Sequence, residues 1–179
     1  MDLHVHMRGD DAVLDWGAGV RHAAIGPGGI GVKGGEGDGI TPLGRFAVRE
    51  IFYRADRIAK PDVTLPLRAI QPDDGWCDAP DDANYNRLVK LPYRASAETM
   101  WRDDALYDLV AVLGFNDDPV VPGKGSAIFL HVARSVGASR SDNSNKPDYS
   151  HTHGCVALAF ADVLAALEQL QPGDAVVVG

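Results

Sequence analysis

The sequence predicts a single domain, residues 1–179, that is mostly β with one or two helices. A chain of this length can bury one hydrophobic core and needs no second domain. Short runs of alternating apolar and polar side chains recur along it, as in strands with one wetter face. Regular alternation of strands with helices, which would indicate a parallel doubly wound fold, is missing.

The first half of the chain predicts a hairpin and two further strands. Residues 3–7 and 12–16 alternate in polarity around a short turn, and residues 20–25 make a third strand. Residues 45–53 resume the strand-like character. Between these strands, residues 26–39 are too rich in glycine for a helix or a regular strand, so we expect a shaped loop.

Three further segments are predicted to be irregular or short. Residues 61–82 are rich in proline and aspartate, which indicates a long surface loop. Ser96 precedes Glu98 and Trp101 in a pattern that predicts a short capped helix. Residues 137–150 are polar and are expected to form a mobile flap just before the most informative motif of the chain.

The second half of the chain predicts the centre of the sheet and its helix. Residues 107–115 and 127–132 are the two most apolar strands and are placed at the sheet centre. The apolar side chains of residues 163–170 follow helical spacing up to Pro172-Gly173. A final buried strand is expected at residues 175–178.

Composition and charge exclude several classes of partner. Seventeen basic residues against twenty-five acidic ones give a net charge of -8, so nucleic acid is not expected to bind. No run approaches the ~20 apolar residues of a membrane-spanning helix. Asp2 and the polar residues after it do not fit an export signal, which predicts a cytoplasmic protein, or a periplasmic one if a leader was removed. Both cysteines are then expected to be free, with Cys77 as a packed small hydrophobe.

The motif Thr152-His153-Gly154-Cys155 supplies the parts of a cysteine nucleophile. The thiolate is the attacking form, and a thiol with a pKa of ~8.5 is mostly protonated at neutral pH, so an imidazole must assist. His131 is the candidate, because strand alternation places it on the face opposite to Leu130 and Val132, toward a cleft.

The residues around the cysteine are typical of acyl transfer. Gly154 permits a backbone conformation and a close substrate approach that a side chain would block, and the amides around it suit a developing oxyanion. His153 either pairs with the thiolate, holds the loop or contacts substrate. His151 points with His153 or is solvated.

Three other patterns are weaker, and we expect neither a metal nor a cofactor. His4-x-His6 resembles the start of metal-dependent amidohydrolase barrels, which need about 200 residues or more and alternating helices. Gly26-x-Gly28-x-x-Gly31 matches the dinucleotide fingerprint, but no helix follows it. A zinc site built from Cys155 and the neighbouring histidines lacks a paired-cysteine spacing.

Over most of its length the chain resembles the L,D-transpeptidase catalytic domain, also called the YkuD-like domain. The likeness is carried by His131 together with the later motif Thr152-His153-Gly154-Cys155, and by shorter blocks elsewhere. These blocks are residues 33–46, Gly75-Trp76-Cys77-Asp78, Tyr85-Asn86, residues 125–131 and residues 154–158. The resemblance implies a β-sandwich or barrel-type fold with the cysteine lining a groove.

The resemblance also implies chemistry on a peptidoglycan stem tetrapeptide or muropeptide, between the L-centre of a diamino acid and the following D-alanine. Cys155 would attack the carbonyl and form a thioester. His131 would take the thiol proton, oriented by the carbonyl of Val132. The amides of Gly154 and Cys155 would hold the oxyanion.

Two departures from the family pattern bear on substrate binding. The family often carries Arg or Asn two residues after the cysteine, where this chain has Ala157. Lys33 and Arg134 are the candidates to replace that group, and Thr152 and Tyr149 are assigned to substrate binding beside them. The long interval between the two histidines of the pattern implies an insertion in the flap.

The acyl acceptor is left open by the motif. Water gives an L,D-carboxypeptidase of peptidoglycan recycling, whereas an amine gives cross-links. We favour water, because a cytoplasmic enzyme would meet soluble wall fragments. Further alternatives are an inert wall-binding module that kept the fold and a metal hydrolase that uses His4 and His6.

Overall fold

The computed structural model describes residues 1–136 and 147–179, and within them it confirms a mostly β fold with one helix, α1, at Phe160–Leu167. The strands in chain order are β1 Leu3–Arg8, β2 Asp11–Asp15, β3 Val20–His22, β4 Ile30–Gly31, β5 Thr41–Pro42, β6 Gly44–Tyr53, β7 Leu67–Ala69, β8 Asp74–Cys77, β9 Leu88–Lys90, β10 Ala97–Thr99, β11 Leu109–Leu113, β12 Phe129–Val132, β13 Val156–Leu158 and β14 Ala175–Val178.

The main sheet is nearly closed into a barrel. Its strands follow the order β13-β12-β11-β6-β14-β1-β2-β3, with β7 paired to β6. Just after β3 the chain meets the opposite edge of the sheet, where Ala24 and Ala157 exchange two backbone hydrogen bonds of 2.7 and 2.9 Å. Closure of this kind satisfies edge groups that an open sheet would leave unpaired.

Two hydrophobic clusters lie on the two faces of the central strands. Leu109, Ala111 and Leu113 of β11 join the larger cluster, which also contains the buried side of α1. Val110 and Val112 point the other way, into a smaller cluster covered by the three-stranded sheet β10-β8-β9. Cys155 belongs to this smaller cluster, so it lies on the face of the main sheet that the small sheet covers.

The predicted alternation along β12 is confirmed. Ile128, Leu130 and Val132 pack in the larger cluster, whereas Phe129 packs in the smaller one. The period of two along a strand is a local property of the backbone, which is why the sequence alone predicts it.

The prediction of one long surface loop over residues 61–82 is wrong. The segment contains β7 and the fully buried strand β8. Its aspartates looked like turn residues, yet Asp74 is buried because Arg68 and Lys90 pair with it and the Gln71 amide donates to it. Ion pairs and amide donors are what allow a carboxylate to be buried.

The predicted short helix after Ser96 is also wrong, since Ala97–Thr99 is strand β10. Ala97 and Glu98 pair antiparallel with Cys77 and Trp76 of β8. Pairing with a distant strand outweighs a local capping signal of this size.

At the C-terminal end, α1 and β14 are confirmed, although the helix begins and ends three residues earlier than the apolar spacing predicts. Ala159 precedes the helix without a side-chain cap, as expected from its lack of a hydroxyl. Of the predicted flap, residues 137–146 lie outside the described residues. Tyr149 forms a β-bridge with Ser135. Among the described residues, no helix has the length and apolar character needed to cross a membrane.

Candidate active site

A cavity of about 720 Å³ opens beside the cysteine motif. Six of the predicted site residues line it, namely Lys33, His131, Arg134, Thr152, His153 and Cys155. Among the described residues, Gly154, Val132 and Tyr149 are not on its wall: Gly154 and Val132 are buried, and Tyr149 is half-buried beside Asp162 at the start of α1. The fold therefore brings the candidate nucleophile and the candidate base to one cavity.

The turn that presents Cys155 is shaped by Thr152. The Thr152 hydroxyl donates to the Cys155 carbonyl at 2.7 Å and accepts the Gly154 amide at 3.2 Å. The Thr152 amide in turn donates to the Ile25 carbonyl. The hydroxyl is thus engaged within the turn, as Ser and Thr side chains often are.

Gly154 is required by two features of this turn. Its φ is +127°, a backbone region that side chains rarely adopt, and an added Cβ would lie 2.8 Å from the Ile40 carbonyl oxygen. The backbone conformation expected at this glycine is therefore present, and the group that approaches it closely is the Ile40 carbonyl after the glycine-rich loop.

The Cys155 sulfur is held by the segment that leads into β12. Sγ donates to the Ala127 carbonyl at 3.2 Å and accepts the Phe129 amide at 3.4 Å. Burial raises the pKa of this thiol to about 12, with Glu98 acting in the same direction; the Phe129 amide and the Lys33 ammonium oppose the rise. The resting sulfur is consequently a thiol and not a thiolate.

His131 is neutral in the resting site. Its Nδ1 lies 2.8 Å from the Val132 carbonyl oxygen, which assigns the proton to Nδ1 and leaves Nε2 as an acceptor. Burial lowers the pKa of His131 to about 4, and the Arg102 cation adds to the lowering, whereas the Val132 hydrogen bond and the Asp104 carboxylate act against it. The Tyr107 ring meets the imidazole edge to face at 5.5 Å.

The described residues hold a neutral thiol and a neutral imidazole on one wall, without a hydrogen bond from Cys155 Sγ to His131. The thiol proton is directed at the Ala127 carbonyl instead. An ion pair of thiolate and imidazolium is therefore not the resting state of this site.

A charged cluster on the same wall was missed by the sequence reasoning. Arg102 forms a two-pronged ion pair with Asp104 at 2.8 and 2.9 Å, and Arg134 donates to the same carboxylate at 2.8 Å. Tyr107 donates to Glu98 at 2.5 Å, and burial raises the pKa of Glu98. Arg-x-Asp is too common a pattern to indicate this cluster, and the sequence predicts a helix at Glu98, where the structure has strand β10.

Lys33 is buried against the glycine-rich loop. Its ammonium pairs with Asp38 at 2.5 Å, and the lysine side chain is only 2% exposed. Although burial alone would raise the pKa of Asp38, the pair with Lys33 and the amides of Ile40, Gly34 and Gly35 lower it to about 2. The ion pair ties the loop to the cavity wall.

The described residues contain no group of three or more His, Cys, Asp or Glu side chains placed to hold a metal ion. His4 and His6 lie on β1, where His4 is exposed and pairs with Asp15 of β2 in register. The metal hydrolase alternative thus receives no support from the geometry of these residues.

The comparison with known families agrees with the resemblance seen in the sequence. A sequence model of the family described as YkuD, the L,D-transpeptidase catalytic domain, matches residues 4–178. The searches of curated proteins and of solved structures gave no match. With a match over nearly the whole chain and a barrel-like β fold, the chain belongs to the L,D-transpeptidase catalytic domain family, whose enzymes act on peptidoglycan.

Proposed function

We propose that Cys155 forms a thioester with the carbonyl that precedes D-alanine in a peptidoglycan stem tetrapeptide, and that water releases the product. The observation that carries this proposal is the placement of Cys155 and His131 on the wall of one cavity, with the sulfur fixed by Ala127 and Phe129. The cavity volume falls in the range of roughly 300–1,000 Å³ typical of pockets for one small ligand.

The proton of the thiol moves as the carbon–sulfur bond forms. The pKa of Cys155 is about 12 and that of His131 about 4, so transfer before attack would be strongly uphill. Substrate entry turns the thiol from Ala127 toward His131 Nε2. The Val132 carbonyl then stabilises the imidazolium through Nδ1–H.

The leaving group and the second step use the same imidazole. His131 gives its proton to the departing amine of D-alanine, which leaves a thioester on Cys155 and a neutral ring. His131 then takes a proton from water as the hydroxide adds to the thioester carbonyl. Collapse breaks the carbon–sulfur bond, returns that proton to sulfur and frees the tripeptide acid.

The backbone amide of Cys155 is proposed to donate a hydrogen bond to the oxyanion. The Gly154 amide already donates a long hydrogen bond of 3.2 Å to the Thr152 hydroxyl. This amide could therefore donate to the oxyanion only after the turn shifts. Thr152 therefore acts in the proposal by shaping the turn.

A substrate carboxylate is proposed to meet Arg134 on the cavity wall. Lys33, which is paired with Asp38 and only 2% exposed, is proposed to hold the glycine-rich loop, and Tyr149 lies off the wall and is given no substrate contact. Ala157 lies opposite His131 in the β12–β13 register, where the side chain that the family often carries would stand. Arg134 and Arg102 line the same wall and both donate to Asp104, and Arg102 also pairs with Glu98 at 3.6 Å; their remaining guanidinium N–H groups are proposed to bind a substrate anion. Arg102 is therefore added to the proposed binding residues.

Water is the favoured acceptor because a cavity of this size suits one stem peptide, and a water molecule needs no second binding site. Cross-linking is the second candidate, supported by Asp78 and Glu98, whose carboxylates on the cavity wall suit the ammonium of an acceptor peptide. In line with hydrolysis, we propose that the enzyme works on soluble wall fragments in the cytoplasm; a periplasmic location would accompany cross-linking.

Mass spectrometry of a disaccharide tetrapeptide after incubation with the enzyme tests the proposal. Loss of D-alanine with uptake of water, without dimers, supports hydrolysis. Dimers would overturn that choice in favour of cross-linking, and unchanged substrate together with an unmodified Cys155 would indicate the inert binding module. His131→Gln should slow product formation by about 10²–10⁴.

A further inference from the structure

The segment that holds the Cys155 sulfur is itself held by one buried side chain, that of Asn86. The Asn86 Oδ1 accepts the Ala127 amide at 3.0 Å and the Trp76 indole N–H at 3.0 Å. Its Nδ2 donates to the carbonyls of Phe115 and Asn116 at 2.9 and 2.8 Å. All four hydrogen bonds of the amide are made, and they fix which end is oxygen and which is nitrogen.

Ala127 needs such support because of its backbone. Its φ is +53°, in the left-handed region that alanine seldom adopts, and its carbonyl accepts the Cys155 thiol. Asn86 Oδ1 binds the amide of the same residue. The orientation of the acceptor for the thiol thus depends on the hydrogen bond that the Ala127 amide donates to Asn86.

The neighbours of Asn86 reinforce the same segment from both sides. The Tyr85 hydroxyl accepts the Gly125 amide at 3.0 Å, two residues before Ala127. The Trp76 ring packs edge to face on Phe129, with ring centroids 5.1 Å apart, and the Phe129 amide is the donor to Cys155 Sγ. The two short sequence blocks around Trp76 and Asn86 therefore contact Phe129 and Ala127, which are the two hydrogen-bond partners of the sulfur.

We infer that Asn86 is a positioning residue for the nucleophile: through Ala127 and Trp76 it aims Cys155 Sγ at the substrate carbonyl. Asn86 is only 7% exposed and lies outside the described wall of the cavity, so it acts through these neighbours and not on the substrate. The inference rests on the proposed role of Cys155.

The test compares Asn86→Gly with Asn116→Gly. Both asparagines have a left-handed backbone, with φ of +56° and +49°, which glycine adopts without strain. Both use their side chains to hold loops, but Asn116 binds Val121 and Gly125 and not Ala127. Comparing the two variants therefore distinguishes the effect of losing loop hydrogen bonds in general from the effect of losing the hydrogen bond at the Ala127 amide.

Two rates are measured for each variant at pH 8: turnover of the tetrapeptide and alkylation of Cys155 by iodoacetamide, followed by peptide mass spectrometry. For Asn86→Gly we expect kcat to fall at least tenfold with KM changed less than threefold. Alkylation of Cys155 should rise at least threefold, because a sulfur released from Ala127 is better solvated. Asn116→Gly should change each rate less than twofold, because its contact with the segment is at Gly125 and the Ala127 hydrogen bond to Asn86 stays in place; equal changes in the two variants would overturn the inference.

Cys77 serves as the internal control for unfolding, because its side chain is fully buried. In Asn86→Gly it should stay as unreactive as in the wild type. Wild-type kcat and Cys155 alkylation in that variant would overturn the inference, as would parallel rises at Cys77 and Cys155. Alkylation reads the position of the sulfur without turnover, so an inactive wild type would contradict the proposed function and leave this comparison intact.

If Asn86→Gly does not fold, Trp76→Phe decides. It keeps a ring against Phe129 but removes the indole donor to Asn86 Oδ1. We expect a two- to fivefold loss of kcat with faster alkylation of Cys155, and wild-type values would overturn the inference.

Discussion

His131 donates its Nδ1 proton to the carbonyl oxygen of Val132 over 2.8 Å, so a neighbour in its own strand fixes the tautomer of the imidazole. The free Nε2 is then the atom that receives a proton in the proposed mechanism. Because the ring is buried, its charged form is disfavoured, and the pKa of His131 is about 4. The imidazole therefore stays neutral at pH 5–7, where an ordinary histidine is partly protonated, and a neutral ring is what the proposed base requires.

The acid limb of activity should reflect this lowered pKa. We expect kcat/KM to be constant near neutral pH and to fall to half its value near pH 4, where His131 takes up a proton in the free enzyme. Initial rates over pH 3.5–8 measure the pH of half-maximal kcat/KM. Circular dichroism at each pH establishes that the protein is folded. Half-maximal activity near the ordinary histidine value of ~6.5 would contradict the assignment.

Stability should depend on pH through the same group. The folded pKa of about 4 is below the unfolded value of ~6.5, so the unfolded chain binds the proton first as the pH falls. The contribution of His131 is complete above pH ~6.5 and is lost as the pH falls toward 4, by on the order of 3 kcal/mol.

Urea unfolding of the wild type and His131→Gln at pH 7.5 and 4.5 measures that difference. The variant should lose less stability than the wild type between the two pH values, because its side chain does not titrate. Carboxylates such as Asp38 and Asp104, whose pKa values are about 2, affect both proteins equally at lower pH. Equal losses in the two proteins would refute the buried neutral imidazole.

How far the sequence predicts this site depends on the range of the interactions involved. The alternation that turns His131 away from Leu130 and the backbone conformation that favours glycine before Cys155 are local properties, and both are visible in the sequence. The approach of Ile40 to Gly154 is not local and is not visible there. The pairing of β10 with β8 is not local, so the capping pattern at Ser96 predicts a helix where the chain forms a strand.

The same distinction explains what was missed at the site. Asn86 and Ala127 are 41 residues apart, and Arg134 and Asp104 are 30 apart. Neither pair has a spacing that a local pattern would reveal. Their contacts arise only when the barrel is nearly closed and the small sheet is packed on it.

Gly154→Ala should damage both folding and activity. Its Cβ would lie 2.8 Å from the Ile40 carbonyl oxygen, a backbone atom that cannot swing away, at a φ of +127°. We expect a loss of at least about 2 kcal/mol of unfolding free energy from backbone strain and overpacking together. We also expect kcat to fall at least tenfold, because the turn before Cys155 must shift.

Gly173→Ala is the matched control for this substitution. Gly173 has a φ of +97° but open space around its missing Cβ, so alanine there adds only backbone strain, about 1–2 kcal/mol. Chemical unfolding and steady-state kinetics of the two variants separate strain from contact. Similar kcat values for both would show that the approach of Ile40 to Gly154 does not matter for catalysis.

Arg134→Ala should weaken substrate binding with little effect on stability. Its side chain is 55% exposed and its ion pair with Asp104 is at the surface, so the pair itself contributes at most about 1 kcal/mol. Without this cation, the terminal carboxylate of the tetrapeptide loses a partner on the cavity wall. We expect KM to rise three- to tenfold while kcat changes less than twofold.

Arg49→Ala provides the comparison, because Arg49 is 51% exposed and forms a similar surface pair with Asp117 away from the cavity. Initial-rate kinetics over a range of tetrapeptide concentrations should show wild-type KM for this variant. An unchanged KM in Arg134→Ala would remove Arg134 from the proposed binding site.

The most direct test of the covalent step is the intact mass of the enzyme, quenched in acid within seconds of mixing with disaccharide tetrapeptide. We predict an added mass equal to the substrate minus D-alanine, located on the peptide that contains Cys155, and its absence in Cys155→Ala, which should also form no product. An adduct that is missing in the wild type under turnover, or full turnover by Cys155→Ala, would contradict the thioester mechanism.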